Sequence, residues 1–339
     1  MSAEKPTSFD IAALAGVSQP TVSRALRGDR SVNPATRMRI EAIARQLNYT
    51  VDRNASALRR GQSNTIALLF FEDTAPDGSA INPFFLSMLE SILRTCAARG
   101  YDLLTSFQRL SGDWHMDYED ARKADGIILL GYGDYELYRS RLEQLRSQGT
   151  HFVRWGSVEP DSGGATIGCD NIAGGAAAGR RLVDQGRRHI AFLGDASGHY
   201  PEFRDRYRGL CGVLRDAGLA VDPGLQADAL SAEESGYEAT RRLLGRDIAF
   251  DAIFAASDMI AIGALHALEE AGLRVPDEVA LIGFDDIPAA SLSHPPLTTV
   301  AQDYRRAGEV LVDTLIARIA GKSTDTMLLP PHLVTRKSG

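Results

Sequence analysis

The sequence is poor in cysteine and has no long hydrophobic run, and both shortages exclude whole classes of protein. Cys96, Cys169 and Cys211 are widely spaced and form no Cys-x-x-Cys pair, so neither a disulfide framework nor a metal site is predicted. The longest apolar runs, 66–71 and 126–130, are of strand length, whereas a membrane-spanning helix needs roughly 20 apolar residues. The N-terminus lacks the basic and apolar segments of a secretory signal. We therefore expect a cytoplasmic protein without a membrane segment.

The motifs of several common enzyme classes are also missing. The chain contains no Gly-x-Ser-x-Gly, no Gly-x-x-x-x-Gly-Lys and no His-Glu-x-x-His. The glycine motif at 131–134, Gly-Tyr-Gly-Asp, is too short for a dinucleotide-binding fingerprint. The sequence therefore predicts a protein that is not an enzyme and that needs no cofactor or metal ion.

Charge is distributed unevenly along the chain, whose net charge is -7. Residues 1–63 contain ten basic and five acidic side chains, whereas the remainder contains 27 basic and 39 acidic ones. A cationic head on an anionic body is typical of a phosphate-binding module joined to a soluble sensing body. Because 339 residues are too many for one compact core of ordinary size, we expect at least two domains.

The cationic head begins with a pattern typical of two short helices. Apolar residues at helical spacing indicate the inner face of the first helix, and these are Ile11, Leu14 and Ala15. Thr7 or Ser8 is placed to cap this helix, and Gly16 is placed to end it. Ser18 is placed to cap a second helix, whose first turn tolerates Pro20 because the missing N–H would have no partner there.

A third helix is predicted to begin at Asn33-Pro34. Its predicted inner face comprises Met38, Ile40, Ile43, Ala44 and Leu47. This order matches the helix-turn-helix layout, in which the second helix enters the major groove of DNA. On that layout the predicted base readers are Gln19, Pro20 and Arg24, and the predicted phosphate contacts are Thr21 and Ser23. The residues alone are equally compatible with a helical hairpin whose polar side chains are solvated.

From Phe9 to Leu26 the residue order and spacing resemble the opening of the lac repressor/gal repressor family of bacterial transcription regulators. The resemblance continues through Tyr49 into the segment Arg-Asn-Ala-Ser-Ala-Leu-Arg-Arg-Gly at 53–61. It implies an all-α helix-turn-helix head, a hinge helix with its linker, and an effector-binding and dimerisation body. The predicted boundaries of these parts are 1–51, 52–63 and 64–339.

The resemblance also implies specific roles in the hinge. Ala55 and Leu58 would belong to the hinge helix, and Leu58 would be a wedge between the central base pairs in the minor groove. Alternatively, Leu58 is a linker residue that contacts the body. Val51 occupies a position where family members often have proline, which would loosen the approach to the hinge.

In the body, short apolar runs alternate with helix-like segments, a pattern that indicates parallel sheets covered by helices on both faces. Two such sets, divided near 160–165, predict two α/β lobes with a ligand cleft between them. This arrangement resembles the periplasmic sugar-binding-protein fold that serves the family as its sensing body. The predicted lobes are 64–162 with 290–323, and 163–289 with 324–339.

The resemblance places an effector site in the cleft. Asp285 matches the acid that accepts hydrogen bonds from ligand hydroxyls, and Arg206 matches the arginine that clamps the effector. Phe84 and Phe85 match an aromatic position beside the cleft, where a ring can stack on a ligand. Other roles are open: a capping carboxylate for Asp285, a surface ion pair for Arg206, and a core position for one of the two phenylalanines.

Three positions depart from the family pattern. Ser257 replaces a common asparagine, and Ser231 replaces the aromatic residue of the lac repressor, so a different effector specificity is implied. Arg154 occupies the place of a common aspartate at a strand end. A cation there would suit an anionic effector such as a uronic acid or a sugar phosphate. Alternatively, Arg154 neutralises a neighbouring acid, such as Asp285, while still donating to neutral hydroxyls.

Together these features predict a sequence-specific DNA-binding regulator, a repressor by family behaviour, that is controlled by a sugar or a sugar-derived effector. Two-fold related heads would read palindromic operator DNA, and because no heptad-rich tail follows the last predicted strand we expect a homodimer. The effector could relieve repression or act as a corepressor. A regulator controlled by a protein partner is the main alternative. A sugar-binding protein without a regulatory role is disfavoured by the basic head and the missing signal sequence.

Overall fold

A computed structural model of the protein describes residues 6–26, 28–49, 62–71, 81–108, 112–159 and 165–339. The chain divides into two units, a head of residues 1–63 and a body of residues 64–339.

The head contains the three predicted helices, α1 (Ser8–Ala15), α2 (Gln19–Leu26) and α3 (Pro34–Gln46). Thr7 and Asp10 form a reciprocal capping box at the start of α1. At its end, Gly16 has a φ of 60°, a left-handed conformation that glycine adopts without steric cost. The Asn33 side chain caps α3 by accepting a hydrogen bond from the backbone N–H of Ala35.

The three helices share a small apolar core. Its buried members are Ile11, Ala12, Ala15, Val22, Ala25, Val32, Ile40 and Ala44. Two residues that the sequence pattern assigned to inner faces, Leu14 and Met38, are instead 63% and 70% exposed. Met38 precedes Ile40 by two positions and therefore faces the opposite side of α3. In α1 the small Ala12, adjacent to Ile11, is buried and Leu14 is not.

The body contains two six-stranded sheets, which define its two lobes. The strands of the first lobe are β1 (Thr65–Phe71), β2 (Asp102–Gln108), β3 (Gly126–Leu130), β4 (Phe152–Trp155), β5 (Ala165–Cys169) and β11 (Met327–Leu329). The strands of the second lobe are β6 (Ile190–Leu193), β7 (Gln226–Ala227), β8 (Ala252–Ala255), β9 (Ala280–Asp285), β10 (Thr298–Ala301) and β12 (His332–Val334).

Helices cover both sheets, as expected for mainly parallel sheets whose central strands are buried. They are α4 (Pro83–Arg99), α5 (Tyr135–Ser147), α6 (Asn171–Asp184), α7 (Pro201–Asp216), α8 (Glu233–Leu244), α9 (Asp258–Glu270), α10 (Pro288–Leu292) and α11 (Tyr304–Ile319). Two short turns complete the body, a π-helical turn at His115–Asp120 and a 3₁₀ turn at Pro223–Leu225.

The strand orders are β11-β5-β4-β3-β1-β2 and β12-β10-β9-β8-β6-β7. The strand pairs are parallel except for β10 with β12. The two-lobed α/β architecture predicted from the sequence is therefore confirmed.

Three strands lie in a different lobe from the one to which the predicted boundaries assigned them. β5 and β11 belong to the first sheet although they were assigned to the second lobe, and β10 belongs to the second sheet although it was assigned to the first. The chain thus crosses between lobes three times, after β5, after β10 and after β11. A short apolar run shows that a strand is buried, but the sheet it joins depends on pairing partners distant in sequence.

The contact between α8 and α9 gives a test of the packing. A Cβ at Gly263 would strike the carbonyl oxygen of Glu233 and lie 2.6 Å from the backbone N of Tyr237. We expect Gly263→Ala to lower the free energy of unfolding by roughly 1–3 kcal/mol, because backbone cannot yield as a flexible side chain can. Denaturant unfolding measures this.

The matched control is Gly212→Ala in α7, where a Cβ would meet nothing within 4 Å in the described structure. It should stabilise the protein by up to about 1 kcal/mol, because alanine is the better helix former. Equal effects of the two substitutions would contradict the close packing of α8 on α9.

Candidate functional site

The carboxyl ends of the strands bring a polar cluster together between the two lobes of the body. Tyr132 follows β3, Asp285 ends β9 and Gln302 follows β10. Asn171 begins α6 and Arg206 lies in α7. Because parallel strands end at a common edge, residues far apart in sequence meet there. We call these five residues the cleft cluster.

Arg206 is the centre of the cleft cluster and is fully buried. Its Nε donates to Asn171 Oδ1 at 2.9 Å, and its Nη2 donates to Tyr132 Oη at 2.8 Å. Its Nη1 donates to the carbonyl oxygen of Ala256 and lies 3.8 Å from Asp285 Oδ1. A buried guanidinium is tolerated only when acceptors and a countercharge surround it, and these contacts provide both.

Only one of the two carboxylate oxygens of Asp285 has hydrogen-bond partners in this cluster. Its Oδ1 accepts hydrogen bonds from Gln302 Nε2 at 2.6 Å and from Tyr132 Oη at 3.2 Å. Its Oδ2 is buried without a partner among the described residues, and so is Gln302 Oε1. Burial raises the pKa of Asp285 to about 6, although the Arg206 guanidinium acts to lower it. The cleft therefore contains two buried acceptors that need donors.

The backbone around Asp285 is strained. Asp285 and Asp286 have φ angles of 111° and 54°, which non-glycine residues rarely adopt. Such strain persists only where neighbours hold the chain, and it is often found at functional sites. Arg336 Nη2 donates to Asp286 Oδ1 at 2.6 Å, and buried Asp258 accepts from the Ile287 N–H at 2.9 Å. These contacts keep the Asp285 carboxylate in the cleft.

Aromatic rings surround the cleft cluster. Phe84 and Phe85, at the start of α4, are both buried and lie 6.5 Å and 4.8 Å from the Tyr132 ring. Phe203 lies 5.5 Å from the same ring, and the Phe284 ring stacks 3.7 Å below the Arg206 guanidinium. The Phe284 face is covered by the guanidinium, whereas the other rings give the cleft an apolar lining that suits the C–H surfaces of a small ligand.

Ser257 lies in a hydrogen-bonded chain that joins the two lobes. Its Oγ caps α9 by accepting from the Ile260 N–H at 3.3 Å, and it accepts from Ser231 Oγ at 2.9 Å. Asn82, which belongs to the first lobe, donates to Ser231 Oγ at 2.8 Å. The two serines therefore act together at one side of the cleft.

Arg154 belongs to a different cluster from Arg206. It is buried at the end of β4, where its Nε donates to Thr166 Oγ1 at 3.2 Å and its Nη2 donates to the carbonyl oxygen of Ser157. The acid beside it is Glu202, since both side chains adjoin Gly156. Asp285 is paired with Arg206 instead, so the expectation that Arg154 neutralises Asp285 is not met.

The head presents a polar face on α2. Val22 and Ala25 point into the head core, whereas Pro20 and Arg24 are exposed. The other predicted DNA contacts, Gln19, Thr21 and Ser23, are partly exposed. Gln19 Nε2 donates to Ser8 Oγ at 3.1 Å, and the Ser18 and Thr21 hydroxyls lie 2.9 Å apart. The predicted hinge residues Ala55 and Leu58, and the adjoining Val51, lie outside the described residues.

Comparison with known proteins agrees with both units. Residues 9–52 match the model described as bacterial regulatory proteins, lacI family, and residues 180–339 match the model of a periplasmic binding protein-like domain. The ribose operon repressor of Escherichia coli (strain K12) is 31% identical over 337 residues, covering 98% of this chain and 99% of the relative. The chain belongs to the LacI family.

Solved structures of LacI-family regulators share the fold over nearly the whole length. The transcriptional regulator CelR–cellobiose complex is 32% identical, with a TM-score of 0.73 and coverage of 98% of this chain and 100% of that one. The lac repressor dimer bound to operator and the anti-inducer ONPF is 26% identical, with a TM-score of 0.83 and 99% coverage of each chain. The predicted family and the prediction of a regulator instead of an enzyme are confirmed.

The described residues contain neither a membrane-spanning helix nor a cluster of metal ligands. No helix among them is both long and apolar enough to cross a membrane. No group of three or more His, Cys, Asp or Glu side chains in the same part of the chain could hold a metal ion.

Three members of the cleft cluster were missed by sequence reasoning, namely Tyr132, Asn171 and Gln302. Each has a weak local signal, because each lies one to two residues beyond a buried strand. The Gly-Tyr-Gly-Asp segment at 131–134 was considered only as a failed dinucleotide motif. Only Tyr132 follows an apolar run that the sequence pattern marks as a strand, 126–130, whereas Asn171 and Gln302 follow strands that were not predicted.

Removal of the Tyr132 hydroxyl tests the cleft cluster. We expect Tyr132→Phe to lower the free energy of unfolding by roughly 1–3 kcal/mol, because it leaves buried donors of Arg206 and Gln302 without their shared acceptor. Chemical denaturation measures the change.

Tyr237→Phe is the control, because that hydroxyl donates to Glu270 on the exposed surface. It should change the free energy of unfolding by less than about 0.5 kcal/mol. If Tyr132→Phe is equally harmless, the Tyr132 hydroxyl does not stabilise the buried Arg206.

Proposed function

We propose that this LacI-family protein is a cytoplasmic regulator that binds palindromic operator DNA as a homodimer and responds to a small, neutral, hydroxyl-rich effector of the sugar class. Asp285 Oδ2 and Gln302 Oε1 carry this proposal, because both are buried acceptors without a donor among the described residues. Sugar hydroxyls would supply the missing donors. The rings of Phe84 and Tyr132 would face the apolar side of a pyranose or furanose.

An anionic effector fits these atoms less well. The carboxylate or phosphate group of such an effector brings only acceptors, so it could not itself donate to Asp285 Oδ2, and its charge would be repelled by an ionised Asp285. Arg154, the cation that suggested such an effector, already donates to Thr166 and Ser157. Two relatives support an uncharged sugar as the effector: one is named the ribose operon repressor, and CelR has been solved in complex with cellobiose.

The surface of the first lobe supports a homodimer. β2 is an edge strand, and most of its side chains are exposed. Large apolar side chains on β2 and on α4 face solvent, namely Leu86, Leu93, Leu104 and Phe107, of which Leu93 is 53% and Phe107 is 47% exposed. An apolar edge that none of the described residues covers favours association with another copy, and a two-fold dimer would present two heads to a palindromic operator. The lac repressor was solved as a dimer bound to operator.

For the head, we propose that Arg24 reads a base and that Thr21 contacts phosphate. Arg24→Ala should lose roughly 1–3 kcal/mol of discrimination between operator and single-base variants of it, because a guanidinium can pair with guanine through two hydrogen bonds. Binding titrations on a set of operator variants measure this. Thr21→Ala is the comparison and should weaken binding to all variants alike. An unchanged base preference in Arg24→Ala would remove Arg24 from base reading.

For the body, thermal unfolding with a panel of sugars tests the effector class. The panel contains D-ribose, D-glucose, D-galactose, cellobiose, D-glucuronate and glucose 6-phosphate. A neutral sugar at 100 times its dissociation constant should stabilise the protein by about 2.7 kcal/mol. Asp285→Asn should lose most of that stabilisation, because it replaces the unpaired acceptor with a donor.

The panel also separates the alternatives. Stabilisation by acidic sugars alone would contradict the neutral class. If no sugar stabilises the protein or changes its affinity for DNA, a regulator controlled by a protein partner becomes the better proposal.

A further inference from the structure

Helix α7 directs two buried ionisable side chains toward the first lobe. Glu202 and Arg206 are four residues apart, and therefore lie on one face of the helix, one turn from each other. Both are buried. Arg206 belongs to the cleft cluster, whereas Glu202 contacts the segment that follows β4. The wall of the cleft thus contains a second charged site directly beside the first.

Glu202 and Arg154 both form hydrogen bonds with the backbone of Ser157. The backbone N–H of Ser157 donates to Glu202 Oε1 at 2.8 Å, and the carbonyl oxygen of Ser157 accepts from Arg154 Nη2. Gly156 separates the two side chains, since a Cβ there would lie 2.5 Å from Arg154 Nη1 and 2.9 Å from Glu202 Oε1. A cation from the first lobe and an anion from the second therefore face each other across a glycine.

Among the described residues, the charges around this pair are balanced. Asp205 accepts from Ser157 Oγ at 2.8 Å and pairs with Arg204 and Arg208 at 3.2 Å each. Arg204 also pairs with Glu159 at 2.6 Å. With Arg154 and Glu202, the cluster holds three cations and three acids. If Glu202 were neutral, Arg154 would have an unmatched buried charge beside the cleft.

We infer that Glu202 sets the charge of the effector: by neutralising Arg154 it makes the site selective for neutral sugars and excludes sugar acids. This inference rests on the proposed function. The Glu202 carboxylate lies across Gly156 from the Arg154 guanidinium without a direct ion pair, so its charge offsets that of Arg154 and would repel an incoming carboxylate. Without it, Arg154 becomes a buried guanidinium that can pair with the carboxylate of a uronic acid.

The test is Glu202→Gln in the full-length protein. Glutamine keeps an oxygen that can accept from the Ser157 N–H, so the fold of the segment is retained while the charge is lost. The probes are D-glucuronate and D-galacturonate, with D-glucose, D-galactose, D-ribose and cellobiose as the neutral set. Calorimetry and thermal unfolding measure binding. We expect the variant to bind at least one uronate about tenfold tighter than the parent does, or more.

Two further variants control for general effects of charge. Asp205→Asn removes an acid from the same helix but leaves Glu202 beside Arg154, so it should gain no affinity for uronates. Arg154→Gln added to Glu202→Gln should abolish the gain. Should Glu202→Gln not fold, Glu202→Ala removes the same carboxylate and keeps a good helix former, and it is judged by the same readout.

The inference is overturned if the Glu202 variants bind uronates no better than the parent, if Asp205→Asn gains equally, or if the gain survives without Arg154. Failure of the proposed function would be a separate result, because it is measured on the parent protein and does not depend on the variants. That protein would then bind none of the neutral sugars.

Discussion

The buried guanidinium of Arg206 is the constraint on which the body of this protein depends. Taking a cation out of water is costly unless hydrogen-bond acceptors and a countercharge replace the lost hydration. Here those groups come from both lobes. Tyr132 belongs to the first lobe, Ala256 and Asp285 belong to the second, and Asn171 lies where the chain passes from the first lobe to the second. Any relative movement of the lobes must therefore rearrange the surroundings of one charged side chain. That dependence makes the cleft a suitable place to sense a ligand.

Not every polar atom of the cleft cluster has a hydrogen-bond partner, and the atoms without one are acceptors. Donors of Arg206 find acceptors, whereas Asp285 Oδ2 and Gln302 Oε1 are acceptors without donors in the described part of the chain. A ligand that donates several hydrogen bonds would complete the cluster in one arrangement of the lobes better than in another. Its influence on operator binding is then limited by that difference in affinity. The three crossings of the chain between the lobes are the points where backbone angles can change during such a movement.

The two charged sites of the cleft show why Arg154, considered alone, suggests an anionic effector that its surroundings in the folded protein do not favour. Arg154 in isolation points to an anionic ligand, because free guanidinium groups recognise carboxylates and phosphates. In the folded protein its charge faces Glu202, a residue 48 positions later in the chain that the sequence pattern did not single out. The ligand charge that a site favours therefore depends on all the charged groups of the cluster. A single charged residue at a strand end is an insufficient guide to it.

By itself, the sequence determined the local structure and the family. Caps such as Thr7 and Asn33, the turn at Gly16 and the alternation of apolar runs with helices depend on neighbours within a few residues, so they were readable directly. The positions of Phe84, Arg206 and Asp285 followed from resemblance. Only the tertiary structure decided that β5, β10 and β11 belong to the opposite lobes, that Met38 faces solvent, and that Tyr132 and Gln302 complete the cleft cluster. The physical reason is that strand pairing, burial and charge compensation depend on contacts between residues tens to hundreds of positions apart, which no local pattern records.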